Sequence, residues 1–161
     1  MKKYNFLLTS VKVSFLFLLA LNLSSCDNCT DTDCFTPAEP FYFQLIDKET
    51  NQNLIDNGTY SLSDIKIKSV LENKFYTPQL DSVLIEGQKQ TILVDQQMGW
   101  KTESKEYILI VNDSIEFDFI YQTREKSEDC CTFYEVEEVS SSEIEITKTI
   151  LSNGFLYKLA L

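Results

Sequence analysis

The chain has 161 residues, enough for one domain, and only four Gly and three Pro against 43% hydrophobic residues, so a packed core is expected rather than disorder. Its 14 basic and 25 acidic residues give a net charge of −11, which repels nucleic acid and favours cations or basic partners. It has no histidine, which removes Ser-His-Asp and Cys-His catalysis and the usual ligand set of a zinc hydrolase.

Residues 1–25 read as a secretory leader. Met1-Lys2-Lys3 gives a positive start, and the apolar stretch culminates in Val13 to Leu21. Lys12 interrupts that stretch and leaves it shorter than the roughly 20 residues a spanning helix needs. The leader ends in Leu23-Ser24-Ser25-Cys26, which resembles a bacterial lipobox: an aliphatic residue, two small residues, then cysteine. The resemblance implies that Cys26 is diacylglycerylated and that the leader is cut before it. The membrane would then be the first partner, held through a covalent lipid. At about 0.8 kcal/mol per buried methylene, two or three acyl chains anchor a protein permanently. Loss of Lys2, Lys3 and Lys12 would leave 11 basic residues against 25 acidic ones.

An acidic, cysteine-bearing tether is expected over residues 26–39. Asp27, Asp31 and Asp33 are similar in character to the acidic export signal of surface-displayed lipoproteins of Bacteroidota. That likeness implies an outer-membrane location with display on the cell surface. Cys29, Cys34, Cys130 and Cys131 remain once Cys26 is set aside, an even number in an oxidising compartment. A Cys130–Cys131 bond would close a strained ring, so a staple between tether and the Asp129-Cys130-Cys131 loop is expected, with its pairing open. Closing a loop of roughly 100 residues contributes about 4 kcal/mol in the chain-entropy account. A four-thiolate zinc site is disfavoured, because adjacent cysteines rarely both reach one tetrahedral metal. Asp31-Thr32-Asp33 lacks the glycine and terminal glutamate of a calcium loop. No metal and no cofactor are expected.

From Pro40 the pattern is strand-like, giving a domain over residues 40–161. Phe41, Phe43 and Leu45 alternate with Tyr42 and Gln44; Ile65 and Ile67 alternate with lysines. Ile115, Phe117 and Phe119 alternate with acids, as do Ile144 and Ile146. A period of two with one polar face marks half-buried antiparallel strands. Val83 to Ile85, Thr91 to Val94 and Tyr107 to Val111 are apolar on both faces and are expected to be central. Asn57-Gly58, Glu86-Gly87, Asn112-Asp113 and Asn153-Gly154 suit turns with positive φ. No 3.6-residue period persists, so no substantial helix is expected. The expectation is an all-β fold: a single antiparallel β-sandwich, Ig-like or prealbumin-like, of about seven to nine strands.

Phe41 to Ile55 resembles the opening of prealbumin-like, carboxypeptidase-regulatory-type sandwiches, which begin with a strand ending in Asp and a Thr-Gly turn. Asp47, Thr50, Leu54 and Ile55 fit, and Asn51 stands where Gly is usual. Taken whole, the chain resembles the small lipoproteins of Bacteroidota, a likeness that implies no particular activity.

Candidate chemistry is sparse. Glu135, Glu137 and Glu138, and Glu143 with Glu145, place acids at spacing two on strands, but general acid–base work needs a pocket that separates their pKa values. They are read as a solvated face that blunts edge pairing. Trp100, the only tryptophan, is the candidate ligand contact, suited to stacking on a sugar ring. Asp81-Ser82-Val83 and Asp113-Ser114-Ile115 resemble the Bacteroidota O-glycosylation signal, which marks Ser82 and Ser114. No catalytic residue is assigned. The expected role is non-enzymatic binding or assembly in the cell envelope, with another envelope protein or a glycan as partner. A small-ligand or cation carrier, for calcium or a glycan, is the alternative, and a carboxylate-only glycosidase stands behind it.

Overall fold

The computed structural model describes residues 38–100, 102, 103, 105–128, 131–152 and 154–161. These lie within one compact unit, Phe35–Leu161. The fold is all-β. Its strands are β1 (Phe41–Ile46), β2 (Ile65–Ser69), β3 (Lys74–Tyr76), β4 (Gln79–Ile85), β5 (Gln88–Asp95), β6 (Glu106–Val111), β7 (Ile115–Glu128), β8 (Cys131–Ser140), β9 (Glu145–Leu151) and β10 (Gly154–Ala160). They form two five-stranded sheets, ordered β4-β5-β1-β10-β9 and β3-β2-β6-β7-β8. Among the described residues the only helical pieces are two three-residue 3-10 turns, Leu62–Asp64 and Met98–Trp100.

The inward residues of both sheets make one core. Phe41, Phe43 and Leu45 of β1 meet Ile65 and Ile67 of β2, Tyr107 and Leu109 of β6, and Phe119 and Tyr121 of β7. Phe41 is its centre, with ring centroids of Phe43, Phe119, Tyr121 and Tyr157 at 4.9, 5.9, 4.7 and 5.6 Å. Such pairs add about 0.5–1.5 kcal/mol each beyond area burial. The opposite face of the β1 sheet carries a smaller cluster, Ile92, Val94 and Leu156 with Tyr42, Val83, Ile85 and Leu151.

Three expectations need correction. The described residues form ten strands where about seven to nine were expected. The sandwich is not wholly antiparallel, because β1 pairs in parallel with β10, from Tyr42↔Leu156 to Ile46↔Ala160. Val83 to Ile85 belongs to β4, which is an edge strand rather than a central one. Its apolar run has a local cause: Val83 and Ile85 join the outer cluster while Leu80 and Leu84 stay exposed.

The turns at Asn57-Gly58, Glu86-Gly87 and Asn112-Asp113 formed where expected, whereas Asn153 of the fourth lies outside the described residues. Glu86 and Gly87, with φ of 51° and 80°, close a two-residue hairpin, and Asn112 and Asp113, at 55° and 54°, close a three-residue one with Ser114, between the paired Val111 and Ile115. Asp47 Oδ1 accepts from the Glu49 and Thr50 N–H groups (3.0 and 2.7 Å) and from the Thr50 hydroxyl (2.8 Å). Those bonds, the Thr50 N–H first, hold the Asp47 carboxyl below its usual range. Asn51, in the position where the resembled sandwiches carry glycine, has φ of 57°, which asparagine tolerates better than most residues.

Candidate functional site

The sequence Asp95-Gln96-Gln97-Met98-Gly99-Trp100 leaves the end of β5 as a turn fixed at nearly every residue. Asp95 Oδ1 accepts from the N–H groups of Gln97 (2.8 Å) and Met98 (2.9 Å). Asp95 is only 4% exposed, and burial pushes its carboxyl above the usual range against the opposing effect of those two N–H groups and of Lys74. Met98 is wholly buried and joins the core. Gly99 has no Cβ where one would meet Ala38 Cβ and Glu39 O at 3.0 Å each, so the turn lies tight against the start of the domain. The Met98 carbonyl accepts from the Tyr107 hydroxyl (3.5 Å) and the Gly99 carbonyl from the Thr123 hydroxyl (3.2 Å).

These contacts present Trp100 in a fixed pose. Its indole Nε1 donates to Gln96 O at 2.9 Å, and the Tyr134 ring stands tilted beside it at 6.3 Å. Trp100 remains 37% exposed and walls a cleft of about 720 Å³, together with Phe75, Thr77, Gln79, Gln96 and Gln97. That volume is within the range of small-molecule sites. Every exposed residue of the described lining is uncharged. Lys74, the neighbouring cation, reaches two lining residues: its Nζ donates to Gln97 Oε1 (3.2 Å) and stands 4.5 Å from the centroid of the Tyr76 ring.

A second cavity, about 650 Å³, runs along β6 and β7 between Val70 and Ser140 to Ser142. Its polar groups serve the fold: the Ser141 hydroxyl donates to Asp118 O at 2.6 Å and accepts from the Glu143 N–H at 3.1 Å.

The candidate acids do not converge. Glu135 pairs with Lys126, and that contact holds its carboxyl below the usual range. Glu137 lies 3.3 Å from Arg124 and accepts from Gln122 at 2.7 Å; Glu138 accepts from Ser140 at 2.6 Å. Glu143 accepts from the Asp118 N–H at 2.7 Å. Among the described residues no three His, Cys, Asp or Glu side chains are grouped to hold a metal.

Ser82 sits exposed in the middle of β4, its N–H donating to Asp81 Oδ1 at 2.7 Å. Ser114 is exposed at the β6–β7 turn. Cys131 opens β8, opposite Glu128 at the end of the β7–β8 ladder. Cys26, Cys29, Cys34 and Cys130 lie outside the described residues, as do the leader and nearly all of the tether. Sequence reasoning found Trp100 but missed Phe75, Thr77 and Gln79, which lie in β3, in the link after it and at the start of β4. Only the Gln96-Gln97 pair just before Met-Gly-Trp was a local sign. Compared with known proteins, the chain matches no protein-family profile, no curated protein sequence and no solved structure.

Proposed function

We propose that this chain is a lipid-anchored cell-envelope protein with a non-enzymatic binding role, placed in the outer membrane and displayed at the surface. Residues 1–25 are the leader, Cys26 carries the lipid, residues 26–39 form the tether and residues 40–161 the β module. The observation that carries the binding half is the fixed cleft around Trp100: its turn is tied to the core by Met98, Asp95 and Thr123 while its mouth stays open. A site held rigid before a ligand arrives loses less entropy on binding. The anchoring half rests on Leu23-Ser24-Ser25-Cys26 and the charged, apolar leader ahead of it.

The test of anchoring is fractionation of cells making the native chain or Cys26→Ala. The native protein is expected in the membrane fraction with an acyl adduct on intact mass, and the variant free of both. A variant that stays in the membrane fraction with unchanged mass would sink the anchor. The tether–loop staple predicts that the mature protein exposes no thiol to alkylation before reduction. Intact mass also tests glycosylation of Ser82 and Ser114, which predicts a mass excess lost in the double alanine variant.

A further inference from the structure

We propose that the Trp100 cleft is a binding site for an uncharged oligosaccharide, with Trp100 and Phe75 as the stacking surfaces and side-chain amides as the hydroxyl readers. The proposal rests on the binding reading above and names its ligand class. Three properties of the lining select that class. First, Phe75 is 55% exposed and Trp100 37%, and both line the same cleft. Aromatic rings left open to water in a shaped cleft offer flat apolar surface, which the C–H face of a pyranose covers. The indole N–H is already bound to Gln96 O, so the ring is offered through its face in a fixed direction.

Second, the polar groups around those rings are amides and a hydroxyl: Gln79, Gln96, Gln97 and Thr77 are all exposed lining residues. An amide both donates and accepts, as a sugar hydroxyl does, and adjacent hydroxyls can pair with both ends of one amide. Third, the charge is missing where it is otherwise abundant. The chain is 24% charged residues, yet the only charged residue of the described lining is Asp95, which is buried and holds the turn. An anionic glycan would meet a single neighbouring cation, Lys74, already engaged by Gln97 Oε1 and the Tyr76 ring, and an acidic protein around it; a cationic peptide would meet no exposed acid in the described lining. A proline-rich peptide could also stack on the rings, but it has few hydroxyls for the amides to read.

Trp100 is the sole tryptophan, so its fluorescence reports this cleft alone. The full-length chain in detergent is titrated with cellohexaose, maltohexaose, chitohexaose and mannohexaose, and separately with a proline-rich peptide. At millimolar sugar, at least one hexaose should blue-shift Trp100 emission and protect it from acrylamide. Phe75→Ala, at an exposed position, should weaken that binding by roughly tenfold or more with an unchanged melting temperature, and Gln79→Ala should weaken it less. The absence of any emission or quenching change with all four sugars overturns the assignment. So does a response to the proline-rich peptide alone, or sugar binding that Phe75→Ala leaves intact. Failure of the sugars while a photocrosslinker at position 75 captures an envelope protein would remove the glycan assignment and leave the binding reading standing; failure of both removes the two together.

Discussion

On the outer half of the β7–β8 hairpin, acids and bases meet across the strands with their side chains in water: Lys126 with Glu135, Arg124 with Glu137. In the turn after β5, one carboxylate is nearly sealed from water and holds two peptide N–H groups, with a wholly buried methionine beside it. That outer half is rich in charge and lines neither of the two cavities described; the turn has little charge and organises a cleft. Exposed ion pairs contribute little because water screens them and long side chains lose freedom in making them. A buried carboxylate must be satisfied where it stands, so it fixes the backbone around it. Density of acidic residues is therefore a poor guide to a site in this protein, and the fixing of one turn is a better one.

The sharpest way to break the contrast is at the turn's anchor. Met98→Ala should cost about 2–5 kcal/mol, seen as a lower urea midpoint, and should move Trp100 emission to the red as the cleft wall loosens. Next is Thr123→Val, on β7 where hairpin and turn touch. Thr123 is 3% exposed and its hydroxyl serves the Gly99 carbonyl, so an isosteric loss should cost about 1–2 kcal/mol. Asp95→Asn sharpens the electrostatic side. Burial raises the Asp95 carboxyl above its unfolded value, so its stabilising contribution is present at low pH and is lost as pH rises through the raised value. Denaturation midpoints from pH 4 to pH 7 (the ordinary carboxylate range to neutrality) should therefore show the native chain losing ground to Asp95→Asn as pH rises. The smallest effect is expected for Arg124→Ala, at most about 1 kcal/mol and vanishing at high salt. If Arg124→Ala proved costlier than Thr123→Val, the contrast would be wrong.

Local features of the fold were legible because they are written in neighbouring residues. Phe41, Phe43 and Leu45 alternate and are all buried, and Asn112-Asp113 closed its hairpin with both φ positive. What could not be read is what depends on distant partners. β10 looked like a terminal apolar strand and was one, but nothing in Gly154–Ala160 says that it pairs beside β1. β3 is three residues long, too short to show a period. In β8, Val136 and Val139 both join the core although their spacing of three breaks the alternation. A bulge opposite Gln122 and Thr123 takes up the extra residue. The candidate site divides in the same way: Trp100 is conspicuous as the one tryptophan, whereas Phe75 and Gln79 reach the cleft through topology alone.

The parallel contact of β1 with β10 has a consequence in time. Tyr42 and Leu156, paired in the middle of their sheet, are separated by most of the domain's sequence. Loop closure over such a distance must precede the reward of the contact, which slows folding in proportion to its share of distant pairings. Until β10 arrives, β1 has β5 on one side and an open ladder on the other. The emerging chain can make the β6–β7 and β7–β8 hairpins early, but the sheet that carries Phe41 closes only when Gly154–Ala160 is in place. Folding of that sheet thus waits for nearly the whole domain, and until then the β1 edge that β10 covers stays unpaired.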